Sequence, residues 1–215
     1  MKIIPIVFGR TTLPCSWVFS GGDESVSLLI ALRLFLIEAD GRLIAVDAGC
    51  DTMPGFTVSE NIGPARAIAD AGYSPLDVTD LILTHSHHDH TECASLFKNA
   101  TVYINTDEYE SAKKYIPDEM KVVTFDEAFD LTPAVRILRI GGHTAGSSVV
   151  EVEAGEITYV LAGDECYSSE CILCGIPTGI SYNKERSAEF IKKYSHEKYR
   201  VLVTHDEHID EVEYV

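Results

Sequence analysis

Four histidines and an aspartate fall within six residues at His85, His87, His88, Asp89 and His90, in the run LTHSHHDH directly after the apolar Leu81, Ile82 and Leu83. Imidazole and carboxylate at this density suit zinc, and also manganese or ferrous iron, since such ions take neutral nitrogen and carboxylate oxygen at about 2.0–2.2 Å. His85 and His87 are one residue apart, so an extended or turning backbone lets both face one ion. Asp89 and His90 follow the turn and can reach a second, while His88 reads as a pocket or solvent residue. Groups able to hold metal close four other apolar strands: Asp47 after LIAV, His143 after RILRIGG, Asp164 after YVLAG and His205 after VLVT. Each has an ordinary explanation alone, as a turn histidine, a satisfied core histidine or a helix cap. Five strand ends that all carry such a group call instead for one cluster held by rigid elements. His196 and His208 lie in charged stretches and read as surface residues.

The elements that aim these side chains are legible in outline. LRLFLIEADGRLIAVDAG alternates to Glu38, turns at Asp40-Gly41 and runs apolar to Val46, a hairpin pattern. SENIGPARAIADAGY has helical spacing at Ile62, Ala65, Ile68 and Ala69, with Gly72 as a stop. TDLILTH is a short buried strand, TECASLFKNA a helix with Thr91 near its start, and TVYIN a strand. The next helix, TDEYESAKKY, places Asp107 and Glu110 at capping-box spacing. VRILRI is a strand, SVVEVEAGEITYVLAGD a hairpin turning at Ala154-Gly155, NKERSAEFIKKYS an amphipathic helix and YRVLVTHD a last strand. Strands lead and helices follow in each half, which predicts an α/β fold of mixed sheets flanked by helices. No linker or low-complexity tract divides the 215 residues, so a single domain is expected.

A formal charge of −17 repels phosphate backbones and anionic headgroups, which excludes nucleic-acid and membrane-surface partners and leaves a small-molecule substrate. Association of two copies stays open. The run VSLLIALRLFLIEAD carries Arg33 at its middle and falls short of the ~20 apolar residues of a spanning helix, so it reads as core. MKIIPIVFGR alternates around Pro5 without the apolar stretch of a secretory signal. Six cysteines with no such signal read as reduced thiols in a cytoplasmic protein. Cys171 and Cys174 form CILC, which lacks the second pair that a thiolate zinc site needs.

THSHHDH, GGHTAGS, LAGD and VTHD, in that order, resemble the metallo-β-lactamase superfamily of hydrolases from about Ala45 to Asp206. The resemblance implies a four-layer αβ/βα sandwich with the metals on one sheet edge. It implies that His85, His87 and His143 hold one metal and Asp89, His90 and His205 the other, with Asp164 bridging. Asp47, in the VDxG position, is implied to orient a ligand. Two divalent ions are thus expected, zinc foremost.

Within the superfamily the chain is similar to the N-acyl-homoserine lactonases, whose Asp-x-x-Tyr is matched by Asp164-Glu165-Cys166-Tyr167. The resemblance implies that Tyr167 hydrogen-bonds the substrate carbonyl. It also implies that the two metals supply hydroxide near neutral pH, and that Asp89 or Asp164 returns the proton to the leaving alkoxide. The segment from Tyr115 to Val122 and the loop after Asp51 are shorter than the pocket walls of those enzymes. Thioester hydrolysis of the glyoxalase II kind would use the same ligands but wants basic residues for a glutathione carboxylate, and these are scarce. A di-iron redox protein of the superfamily would carry Glu where His87 stands.

Overall fold

The computed structural model describes residues 1–207, 209, 212 and 213; His208 lies outside the described residues. In chain order the first sheet contains β1 (Lys2–Pro14), β2 (Ser27–Ala39), β3 (Arg42–Val46), β4 (Asp80–Leu83), β5 (Thr101–Asn105) and β6 (Val122–Phe125). The second contains β7 (Ala128–Asp130), β8 (Val135–Arg139), β9 (Ser148–Ala154), β10 (Ile157–Leu161) and β11 (Tyr199–Leu202). A short β12 (Val212–Glu213) returns to the first sheet beside β1. Strand order is β12-β1-β2-β3-β4-β5-β6 in one sheet and β11-β10-β9-β8-β7 in the other. Both are mixed: β3 through β6 run parallel while β1, β2 and β3 are antiparallel, and β10 pairs parallel only with β11.

Strand periodicity builds the layers. On β2, Phe35 and Ile37 join Val150, Val152 and Leu161 in a core between the sheets, whereas Leu34 and Leu36 face the other way with Ile68, Phe97 and Ala112. Both faces of that strand are buried, which explains why the run reads as unbroken apolar sequence. The outer face of the second sheet packs Val149 and Val160 on Phe190, Ile191 and Tyr194 of a C-terminal helix. The helices are α1 (Cys15–Val18), α2 (Pro64–Asp70), α3 (His88–Thr91), α4 (Thr106–Ala112), α5 (Ser169–Cys174) and α6 (Lys184–Tyr194). This is the expected four-layer sandwich. Among the described residues no helix is long and apolar enough to cross a membrane.

The hairpin turns where expected, with Asp40 at φ 51° and Gly41 at φ 73° between strands paired from Phe35↔Val46 to Ala39↔Arg42. Three local expectations are corrected. The helix after the histidines is not continuous: α3 gives way to a 3₁₀ segment, Glu92–Phe97, kinked at Cys93. Tertiary hydrogen bonds cause the break, because Cys93 N–H donates to Gly49 O and the His90 carbonyl accepts from Ala48 N–H. The cap of α4 is Asn105, whose side chain accepts from Asp107 N–H, and not the Asp107/Glu110 pair. Helix α2 begins at Pro64 and leaves Ile62 outside it, exposed, because proline sets the first helical turn. The N-terminal stretch forms the 13-residue β1, which Pro5 obscures in the sequence. Pro5 pairs with Phe35 of β2 and, among the described residues, falls just past the two that pair with β12.

Candidate active site

The ends of β3, β4, β8, β10 and β11 converge, and they carry Asp47, His85, His143, Asp164 and His205. His87 has an extended conformation at φ −64°, ψ 153°, and α3 begins directly after it. The change from extended to helical backbone sends His85 and His87 to one side and leaves Asp89 and His90 in the first turn of the helix. Two groups of donor atoms result, each with its atoms within 4.8 Å of one another: His85, His87, His143 and Asp164 in one, Asp89, His90 and His205 in the other. Asp164 Oδ2 lies 3.7 Å from His85 Nε2 and 3.4 Å from His143 Nε2. Its Oδ1 lies 3.1 Å from both His90 Nε2 and His205 Nε2. One carboxylate therefore presents an oxygen to each group. Gly163 before it, at φ 50°, leaves no room for a side chain, since a Cβ would meet Thr84 Oγ1 at 2.9 Å.

Hydrogen bonds outside the cluster fix which imidazole nitrogen faces in. His143 Nδ1 donates to Ile180 O at 3.1 Å, and His205 Nδ1 to Ala31 O at 2.8 Å. His90 Nδ1 donates to Asp47 Oδ2 at 2.7 Å. His85 Nδ1 lies 3.1 Å from Thr84 Oγ1, whose own proton goes to Asp47, so that imidazole donates as well. All four thus turn Nε2 toward the centre. His87 differs: its Nδ1 faces in, 3.0 Å from both His85 Nε2 and His143 Nε2. Neutral nitrogens pointed at one another have little to offer each other and much to offer a cation.

The electrostatics agree. Burial holds His85 well below the ordinary histidine range and lowers His143. Burial, the largest single influence, would also lower His90 and His205, but Asp164 and Asp89, with Asp47 at His90, together outweigh it and raise both. His90 Nε2 is buried with no hydrogen-bond partner, although Asp164 Oδ1 is near. An orphaned buried nitrogen beside surplus buried carboxylate fits a bound cation.

A cavity of about 270 Å³ opens onto both groups. His87, Asp89, His143, Asp164 and His205 form its polar floor, and Leu13, Trp17, Met53, Pro54, Phe56 and Ile180 its apolar walls. Tyr167 also lines it, stacked on His205 at 4.9 Å between ring centroids and edge-on to His143 at 5.8 Å. Burial raises the Tyr167 phenol well above the ordinary range and keeps its proton in place. His88 lines the cavity outside both donor groups. Cys171 is buried against the Cys166 thiol, while Cys174 is exposed, so the two cysteines of CILC stand in different surroundings. His196 lies away from this cavity.

Several residues that build the site are silent in the sequence. Glu108 on α4 is buried and accepts from Ser86 N–H at 2.9 Å, Ser86 Oγ at 2.5 Å, Thr144 Oγ1 at 2.7 Å and Gly146 N–H at 2.8 Å. It ties the loop carrying His85 and His87 to the loop carrying His143. Burial alone would raise its pKa, but these donors outweigh it and hold Glu108 below the usual carboxylate range. Glu165 accepts from Gly142 N–H, His143 N–H and Ser147 Oγ, and burial pushes it up to about 7. Arg33, the charge inside the apolar run, is buried and donates to the carbonyls of Val203, Thr204 and Asp206, which fixes the segment bearing His205. Burial pushes its guanidinium down to about 10.

A family model described as the metallo-beta-lactamase superfamily matches residues 34–205. The chain is 29% identical over 148 residues to a Methanocaldococcus jannaschii protein named "Probable metallo-hydrolase", covering 66% of this chain and 63% of that protein, just under two thirds of its length. It is 27% identical over 219 residues to an N-acyl homoserine lactonase of Bacillus cereus, covering 89% of this chain and 86% of the relative. The solved structure of an N-acyl homoserine lactone hydrolase with its product, N-hexanoyl-L-homoserine, at the catalytic metal center superposes with a TM-score of 0.82 at 22% identity. That superposition covers 96% of this chain and 93% of the other, and shows a shared fold.

Proposed function

Because the chain belongs to the metallo-beta-lactamase superfamily, we propose that it is a dinuclear metallo-hydrolase of ester-type carbonyls that opens lactone rings of the N-acyl homoserine lactone class. The observation that carries the reading is the Asp164 carboxylate, with one oxygen toward each of two donor groups at the floor of an apolar cavity. His85 Nε2, His87 Nδ1, His143 Nε2 and Asp164 Oδ2 would hold one ion. Asp89, His90 Nε2, His205 Nε2 and Asp164 Oδ1 would hold the other. The imidazole-rich, thiolate-free set favours zinc. Two such ions, when bound, would lower the pKa of a bound water toward neutrality and polarise a carbonyl oxygen.

The remaining work falls to the chain. Tyr167, protonated and braced between His143 and His205, donates its O–H to the substrate's carbonyl oxygen as charge develops there. Asp89 or Asp164 returns a proton to the leaving alkoxide. The apolar walls exclude water and hold the acyl group. Among the described residues no Lys or Arg lines the cavity, which favours an uncharged lactone over a glutathione thioester whose carboxylates would go unpaired. A panel of lactones, thioesters, phosphodiesters and β-lactams, assayed with zinc-reconstituted protein, tests the reading. Lactones should turn over fastest, and a clear preference for any other class would replace the assignment.

A further inference from the structure

His88 stands between the two donor groups in sequence and belongs to neither, yet its ring is fully engaged. The Thr52 carbonyl can only accept, so His88 Nε2, 2.9 Å away, carries the proton. Nδ1 is then free to accept from Tyr115 O–H, also at 2.9 Å. Glu92, one helical turn further on, closes the same knot. It lies 3.2 Å from His88 Nε2 and accepts from Asp51 N–H at 2.9 Å, Thr52 N–H at 3.0 Å and Thr52 Oγ1 at 2.9 Å. The metal-motif helix thereby grips the chain at Thr52.

Directly beyond Thr52 come Met53, Pro54 and Phe56, one apolar wall of the cavity. These residues belong to no strand or helix, and a turn hydrogen bond from Phe56 N–H to Met53 O joins them to each other. Phe56 meets Trp17 edge-on at 6.1 Å, which completes the wall across to α1. At its far end Thr11 Oγ1 donates to Thr57 O at 3.0 Å and Ser59 bridges to Arg10, so the wall is a short span held at both ends, and the grip at Thr52 is the hold on the metal-motif side.

We propose that His88 is a positioning residue that fixes acyl-chain selectivity: by latching Thr52 to Tyr115 and Glu92 it holds the Met53–Phe56 wall against an uncharged alkyl group. The proposal rests on the lactone reading for its substrate, and on the structure alone for the latch. A firm wall buries each added methylene of the acyl chain, and burial of one methylene is worth about fourfold in apparent affinity. A loose wall gives up most of that gain.

The test uses Tyr115→Phe and Glu92→Gln, which cut the latch from outside the cavity lining, together with His88→Ala, all as zinc-loaded full-length protein. Steady-state constants are measured on homoserine lactones with acyl chains from butanoyl to decanoyl. In the wild type KM should fall by up to about fourfold per methylene until the cavity fills, and in Tyr115→Phe and Glu92→Gln by less than about twofold, with kcat little changed. In parallel, chymotrypsin should cleave after Phe56 roughly tenfold faster in all three variants, a readout independent of turnover. Unchanged KM ladders, whether or not cleavage speeds up, overturn the selectivity role, and unchanged cleavage overturns the latch. If the wild type opens no lactone, the proposed function fails, and the latch stands or falls on cleavage at Phe56.

Discussion

Asp47→Asn isolates what the carboxylate at the end of β3 does. Asp47 is buried at φ 64°, a left-handed conformation that asparagine tolerates as well as aspartate, so the backbone should keep its path. One carboxylate oxygen takes Thr84 N–H at 2.8 Å and Thr84 Oγ1 at 2.9 Å, and the other takes His90 Nδ1–H at 2.7 Å. An amide can serve Thr84 with its oxygen only by turning its NH2 toward His90, where two donors would then face each other. His90 must move its proton to Nε2, the atom needed at the centre, or rotate away. Losing a partner that orients a ligand typically costs 10–100-fold in metal affinity, about 1.4–2.8 kcal/mol. The metal-free protein should also lose about 1–3 kcal/mol for the buried bond, a fall in Tm of roughly 2–12 °C for a chain of this size. Competition with a chromophoric chelator reads the first quantity and thermal denaturation without metal the second. A variant that binds its second zinc with wild-type affinity would refute the argument that Asp47 sets the His90 tautomer.

Three further substitutions address other parts of the site. Asp164→Asn should remove most turnover and loosen metal retention together, measured by rate and by elemental analysis; full activity would mean that the bridge is misassigned. Tyr167→Phe should keep both metals and lose ~100–1000-fold in kcat on lactones, the worth of one oxyanion donor, about 2.7–4 kcal/mol; unchanged turnover would reduce Tyr167 to a packing residue. Glu108 has a lowered folded-state pKa, so its contribution to stability is present above the unfolded value of 4.5 and is lost as pH falls through the folded one. Glu108→Gln should accordingly be less stable than wild type at pH 7, by about 1.5–3 kcal/mol for hydrogen bonds to a charged group, with the gap narrowing as pH falls below 4.5 in denaturant titrations. A gap independent of pH would show that charge plays no part there.

The parts legible in the sequence are those written in local pattern. Asp40-Gly41 marks its turn because left-handed backbone selects such residues, and the strand ends at Asp47, His85, His143, Asp164 and His205 mark theirs because a polar group follows an apolar run. The structure gathers all seven residues named from the motifs into the two donor groups. What stayed hidden depends on partners distant in the chain. β1 is disguised by Pro5, which cannot donate to a ladder and so reads against a strand. The helix after the histidines breaks because Ala48 and Gly49 claim its backbone groups. Glu108, Glu92 and Arg33 look like ordinary charges, and only the fold shows that each holds a loop of the site.

The most direct test is to titrate zinc into metal-free protein while following ring opening of N-hexanoyl homoserine lactone by acid release. A dinuclear hydrolase should show no turnover without metal, and a rate that climbs until about two zinc ions per chain are bound and then stays level. A plateau at one ion per chain, or a fully loaded protein that leaves the lactone intact, would contradict it.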